Sequence, residues 1–568
     1  MNWKKRDIDK NKENELIGLT KDKLIARLLS QRSVPVNEVP KFLSSSYNDL
    51  RHPHELKGTK EAAELFCKVA LNKGSVCIIG DFDADGIISS TMLKELCTIF
   101  GLQCKVFLPS RITHGYGLSH KSIESIKAKF VNPPDLLFIT DCGSSSEQEV
   151  IELKEWGAKH IIIIDHHIVE QSKISKSADV LINWHLCDFE DTCACGEVFH
   201  FIRAIRWITK KVNPLEFLSM AAIGILADVS PVIGDNRMIV KNGLKESSLN
   251  NVTASGLNAL IRKANIKGQL SQEDVLFRIA PRINAVGRLD KPDIAHKLLI
   301  EQDPTMADLI AEELNDHNDN RKKMQREMEK EAVSIVEKDI DSYKYGIAVY
   351  NPAWSIGIVG LIASRLAEKF CKPTIVMSKN GEVIKGSGRT FANVNLKEVL
   401  DNCKDMFEGY GGHKGACGVT LKNHALNDIN LAFNRACETY YSVHGKPEEI
   451  KYYDAEVKAK TVNLEIAQKI ADSMYPYCNQ HNPEPVFLLS NATIVESSLY
   501  EKDNWRILSF FATKDGEETS IKMKMFSDNL GTEIEGMVAD IYFTFPQIIN
   551  TQYPSINVLD FVVKSRDV

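Results

Sequence analysis

Short, unbroken apolar runs that end in an acid or a glycine, alternating with helical stretches, constrain this chain more than any other feature. Three of them, Val76 to Ile79, Leu136 to Thr140 and His160 to Ile164, are too short for helices and lack the polar alternation of a half-solvated strand. They read as strands buried on both faces, which is the pattern of a parallel sheet. Between them, Thr91 to Phe100 and Ser144 to Trp156 carry helical spacing. The expected lobe is therefore α/β, with its ligand site at the carboxyl ends of the strands.

Further along, Thr305 to Val349 contains no proline and a single glycine, Gly346, and apolar residues recur at Met324, Met328, Ala332, Ile335 and Val336. That spacing predicts a long helix, and its polar middle, Asn315 to Lys323, suits a solvent-exposed connection between two lobes. A second, smaller α/β lobe succeeds it, with strands at Tyr345 to Tyr350 and Pro373 to Met377 around a helix from Gly357 to Phe370. Five β-patterned runs come last: Pro485 to Leu489, Trp505 to Phe511, Ser520 to Phe526, Ala539 to Phe545 and Asn557 to Val563. They suit a small closed barrel. The expected division is a helical segment over 1–70, reading as a cap on the rest of the chain, then the parallel-sheet lobe over 71–304. A connecting helix over 305–340, the smaller lobe over 341–450 and the barrel over 451–568 complete it.

Composition excludes several classes. At 568 residues, 43% hydrophobic and 26% charged, the chain is neither disordered nor fibrous. Its longest apolar stretches, such as Met220 to Ala227, fall far short of the roughly 18 residues of a membrane span. The N-terminal MNWKKRDIDKNKENE has lysines without an apolar core after them, so a secretory signal is not expected and the cytosol is. Thirteen cysteines without a Cys-x-x-Cys pair read as reduced thiols, and the group Cys187, Cys193, Cys195, His185 and His200 has no common zinc spacing. A net charge of −6 argues against a broad basic coat and leaves a narrow basic groove open.

The chemistry concentrates at four places. Asp81, Asp83 and Asp85 come after the first apolar run in DFDADG, where alternate carboxylates repel one another unless a cation lies between them. A calcium loop is excluded, because Met92 stands where its bidentate glutamate belongs. Asp141 ends the second run, the triplet Asp165, His166 and His167 comes after four isoleucines, and Asp228 ends Ile223-Gly-Ile-Leu-Ala. Each acid alone reads as a helix cap or turn residue. Together they point to a divalent-metal site at one sheet edge, and mixed carboxylate and imidazole donors without thiolate suit manganese or magnesium.

With these residues stated, the chain is identified as resembling the DHH phosphoesterase family. The resemblance extends to Arg111 with His114-Gly-Tyr-Gly-Leu118, Gly234-Asp-Asn-Arg237, Pro281-Arg-Ile-Asn-Ala-Val-Gly-Arg-Leu289, Gly386-Ser-Gly-Arg389, Gly411-Gly-His413 and Asn482-Pro-Glu-Pro485, in the family's order over about residues 20–565. It implies a DHH lobe and a smaller DHH-associated lobe joined by a long helix, with an OB-like barrel after them. It also implies two Mn²⁺ or Mg²⁺ ions: Asp83 on one, Asp85, His166 and Asp228 on the other, Asp141 bridging, and Asp81 as a ligand or close neighbour of the first. His167 would face the scissile phosphate and Asp165 would orient the imidazoles, with an activated water as nucleophile. Substrate would be gripped by Arg111, Arg282, Arg288, Lys291, Ser387, Arg389, Gly412 and His413, with the glycine-rich segments over 386–389 and 409–418 as tight turns. Stacking on Trp505, Phe510, Phe511 and Tyr542 of the barrel would hold a single strand.

The activity implied is 5′-to-3′ exonuclease cleavage of single-stranded DNA to mononucleotides, in recombination and repair, by a monomer. A single-strand-binding protein and a RecQ-type helicase are the implied partners, and no membrane is. Relatives usually carry a histidine at Ser355, so one phosphate contact there is absent or supplied differently. Three alternatives compete. A small-substrate phosphoesterase would need neither the N-terminal helices nor the barrel. A haloacid-dehalogenase-type phosphatase gives the Asp-His-His triplet no role. A catalytically silent scaffold would have lost metal ligands that are present here.

Overall fold

The computed structural model describes the whole chain except residues 1, 111, 112, 116, 131, 247–254, 480, 503, 504, 515–520, 527–533, 546–555, 567 and 568. Five strands, β1 (Val76–Ile79), β2 (Cys104–Phe107), β3 (Leu136–Thr140), β4 (His160–Ile164) and β5 (Val180–Ile182), form a parallel sheet in the order β2-β1-β3-β4-β5. The three inner strands are the three apolar runs, residue for residue; of the partly exposed edge strands, Cys104–Phe107 is broken by a lysine and Val180–Ile182 is apolar but only three residues long. Register keeps the inner strands level, with Ile79 opposite Ile139 and Ile139 opposite Ile163, so the loops after them open at the same height. Helices cover both faces: Ala84–Ile99 and Ala194–Thr209 bury their apolar sides on one, His120–Lys129 and Glu147–Trp156 on the other.

The helix Pro304–Lys338 links the lobes. Its first half buries Ala307, Ala311 and Leu314 in the sheet lobe, and its second half buries Met328, Ala332 and Val336 in the smaller one. There, β6 (Ile347–Tyr350), β7 (Thr374–Asn380), β8 (Val383–Arg389), β9 (Phe407–Gly412) and β10 (Ala416–Leu421) form a sheet in the order β9-β10-β8-β7-β6, parallel only between β6 and β7. The glycine-rich segments over 386–389 and 409–418 are thus mainly strands, not turns. Gly411 faces Gly418 across the ladder, and Gly409, Gly412, Gly386 and Gly388 face residues with side chains, so side chains are sparse there.

Toward the C-terminus, the strands Phe487–Lys502, Trp505–Lys514, Ile521–Phe526, Ile556–Arg566 and Met537–Thr544 pair in that order, and the last pairs back onto the first. The N-terminal segment divides between two cores. Leu56, Ala62 and Phe66 join the sheet lobe, whereas Leu16, Ile25, Leu28, Leu29 and Phe42 share a core with Phe487, Ile541 and Phe543. The strand Asn2–Lys5 runs parallel to Ile450–Tyr453. Trp3 stacks on Tyr542 at 4.3 Å between ring centroids and donates Nε1–H to Asp560. Asp454 accepts from Arg6 and Arg32, both at 3.1 Å, and neither Arg32 nor Asp454 has an exposed side chain. Arg237, fully buried, donates to the carbonyls of Phe42, Ser473, Met474 and Pro476, so one side chain ties three stretches of the chain. Among the described residues no helix is long and apolar enough to cross a membrane.

Candidate metal centre

The loops at the carboxyl ends of β1, β3 and β4 converge. Asp83 caps the helix Ala84–Ile99, accepting from the amides of Asp85 and Gly86 with one oxygen, and Gly86 is forced there, because a Cβ would stand 2.5 Å from the Asp81 nitrogen. Asp85 accepts from the amides of Ala194 and Cys195 at the start of a second helix. The capping reading of these acids is therefore true, yet it does not exhaust them. Asp228 differs from the other acids: it ends an apolar helix, Leu218–Ala227, and not a strand.

Ligand atoms of Asp81, Asp83 and Asp141 lie within 4.8 Å of one another, and so do those of Asp85, His166 and Asp228. Asp141 connects the two trios, with His166 Nε2 at 3.3 Å from its Oδ1 and 3.8 Å from Asp85 Oδ2. Burial, then the charges of Asp83, Asp85, Asp81 and Asp228, push the pKa of Asp141 well above the ordinary carboxylate value. Burial and Asp85 likewise raise Asp228 to about 7. The Oδ2 of Asp141 is buried without a hydrogen-bond donor. Five carboxylates and an imidazole, with a buried oxygen left unmatched, fit divalent cations bound through oxygen and nitrogen.

Asp165 is buried between two partners: Ser144 N donates to its Oδ2, and its Oδ1 receives Nδ1 of His167 at 2.7 Å. Burial opposes the charge on Asp165, but the His167 contact prevails and lowers its pKa. The same contact raises His167 to about 9. Cys193 and Cys195 also adjoin Asp85. Burial pushes the Cys193 thiol up to about 12 and the Cys195 thiol well above its usual value, and Cys195 S–H donates to the Asp85 carbonyl.

A cavity of about 660 Å³ opens between the lobes, with Asp83, Asn284 and Arg288 on one wall and Ser387, Arg389 and Gly412 on the other. Arg389 Nη1 is held by Ser387 Oγ at 2.7 Å and by the Gly388 carbonyl. Other expected contacts fall elsewhere. Arg282, 9% exposed, turns to the connecting helix, where it donates to Asn315 Oδ1. Lys291 and His413 are exposed beside the cavity and do not line it. Arg111 and the side chains of Trp505 and Phe510 lie outside the described residues; Phe511 is half-buried, and Tyr542 is covered by Trp3. Ser355 stands at the turn into the helix Val359–Phe370, its carbonyl accepting from Ile358 and Val359.

Two positions were missed by reading charge alone. Asn284 accepts the Ala84 amide at 2.8 Å and so fixes the metal loop. A Cβ at Gly287 would stand 2.1 Å from the Phe82 carbonyl. Both lie in the motif Pro281 to Leu289, where the arginines drew the attention.

Residues 75–225 match the model of the DHH family, N-terminal domain, and residues 342–439 that of the DHHA1 domain. The chain is 30% identical over 502 residues to the single-stranded-DNA-specific exonuclease RecJ of Bacillus subtilis, covering 87% of this chain and 62% of that protein's length. To the exonuclease of the same name from Escherichia coli it is 28% identical over 489 residues, 82% of each chain. Crystallised RecJ from Thermus thermophilus in complex with Mn²⁺ superposes with a TM-score of 0.80 at 24% identity, over 100% of this chain and 79% of that one, a likeness of fold. Residues 75–225 and 342–439 thus match the two domains that these family models describe, in a chain similar in sequence to RecJ exonucleases over most of its length.

Proposed function

We propose that this protein is a divalent-metal-dependent exonuclease that hydrolyses single-stranded DNA from the 5′ end to mononucleotides, in the cytoplasm, during recombination and repair. The observation that carries the reading is the pair of ligand trios joined through the Asp141–His166 contact, with Asp83 facing Arg389 and Ser387 across one inter-lobe cavity. Asp81 and Asp83 would hold one Mn²⁺ or Mg²⁺, Asp85, His166 and Asp228 the other, and Asp141 both. Two such ions, when bound, supply an activated water and neutralise the phosphate.

The chain's own groups do the rest. Asp165 keeps Nδ1–H of His167 occupied, so the ring's other nitrogen can hold a proton toward the phosphate. Arg389, braced by Ser387, suits bidentate capture of a terminal phosphate, with Arg111 as its partner. The Gly411–Gly418 pair beside Gly412 lets a strand approach the backbone closely. Arg288, Lys291 and His413 add donors at the cavity's edge, while Arg282 supports the wall from behind. The ring of strand pairings over 487–566 supports an OB-like barrel that guides the single strand. A single-strand-binding protein and a helicase remain proposed partners, and a monomer the proposed state.

The test is digestion of strands labelled at either end, with Mn²⁺ or with EDTA. Early release of the 5′ label as a mononucleotide, abolished by EDTA and by Asp141→Ala, is expected. Activity restricted to dinucleotides would instead favour a small-substrate phosphoesterase.

A further inference from the structure

Twelve non-glycine residues among those described have positive φ, and Val229, at 63°, is the one β-branched member. Branching at Cβ makes this region costlier for valine than for the lysine, serine or asparagine found at the others. The turn itself does not ask for a valine. It ends the helix Leu218–Ala227 with amide bonds from Val229 to the Leu226 carbonyl and from Ser230 to the Ile225 carbonyl, the geometry in which glycine is favoured. Nor does packing repay the strain, because Val229 is 68% exposed. Backbone strain kept without a packing gain is found where a site needs the side chain.

Its neighbours say which site. Asp228 belongs to the trio with Asp85 and His166, and Ser230 Oγ donates to Asp228 Oδ2 at 2.6 Å. An apolar group thus projects into solvent one residue from the acidic centre. We propose that Val229 is a substrate-contact residue, its isopropyl group meeting the sugar or base of the nucleotide whose phosphate lies at that centre. This rests on the exonuclease reading and adds to it a non-ionic contact, which distinguishes a nucleotide chain from inorganic polyphosphate.

The test pairs stability with kinetics in Val229→Gly and Val229→Ala, both with saturating Mn²⁺. Glycine relieves the strained φ, so the melting temperature of Val229→Gly is expected to equal or exceed that of the wild type. KM for a 5′-phosphorylated oligonucleotide is expected to rise about tenfold in both variants, the yield of one lost apolar contact, and by more than kcat falls. A lower melting temperature for Val229→Gly would make the side chain structural and overturn the inference, as would an unchanged KM in either variant. A wild type that cleaves no strand overturns the exonuclease reading itself; an active wild type with variants of equal KM overturns this inference alone.

Discussion

At Asp141 a buried carboxylate stands in a left-handed turn among Asp81, Asp83, Asp85 and Asp228, and without a cation every one of those neighbours opposes its charge. Asp141→Asn should therefore raise the melting temperature of the EDTA-treated protein while removing most of the further rise that Mn²⁺ gives the wild type. Scanning calorimetry with and without metal checks both signs, and a metal-free variant that melts lower would contradict them. A second residue-scale expectation concerns the imidazole. In metal-free Asp165→Asn, His167 loses the carboxylate that holds its pKa near 9, and its NMR titration should move toward the ordinary 6.5. The acids and histidines were legible because their chemistry has few uses at strand ends. Asn284 was not, because an amide that accepts one backbone N–H leaves no mark in composition or charge.

Among the elements, the helix Ala280–Arg288 matters most to the metal loop. It touches that loop through Gly287 and Asn284, and reaches the smaller lobe through Arg288 Nη1, which donates to the Gly357 carbonyl. Asn284→Leu strands the Ala84 amide at a helix start, at a cost of about 1–3 kcal/mol. Its loss of nuclease rate should exceed what that destabilisation explains, measured below the melting transition. Inner strands were readable from sequence because burial on both faces makes them uniformly apolar, whereas Cys104–Phe107 alternates with a lysine at the open edge and escaped notice. Glycine-rich segments read as turns because glycine permits turns; here the residue's smallness serves the hairpin of β9 and β10 instead.

For the whole molecule, the N-terminal helices belong with the C-terminal strands, and no local pattern could have said so, since an amphipathic face does not name its partner. Arg32→Leu would leave the Asp454 carboxylate with the partly exposed Arg6 as its guanidinium and the Val486 amide as its backbone donor, and loss of one member of a buried pair costs about 3–5 kcal/mol. Chemical denaturation should record that loss, and proteolysis should find the N-terminal segment first. A variant as stable as the wild type would mean that Arg6 suffices.

That shared core sets a timetable for synthesis. Leu16, Leu28 and Phe42 leave the ribosome long before Phe487, Ile541 and Phe543, which lie about 450–530 residues further along the chain. At roughly 5–20 residues per second the delay is on the order of a minute. Through that interval the sheet lobe has its own core and can mature, while the leading helices carry an apolar face whose main cover has yet to emerge. Nascent chains are therefore clients for whatever shields such faces, and a message truncated before codon 487 yields a product in which that face keeps only part of its cover.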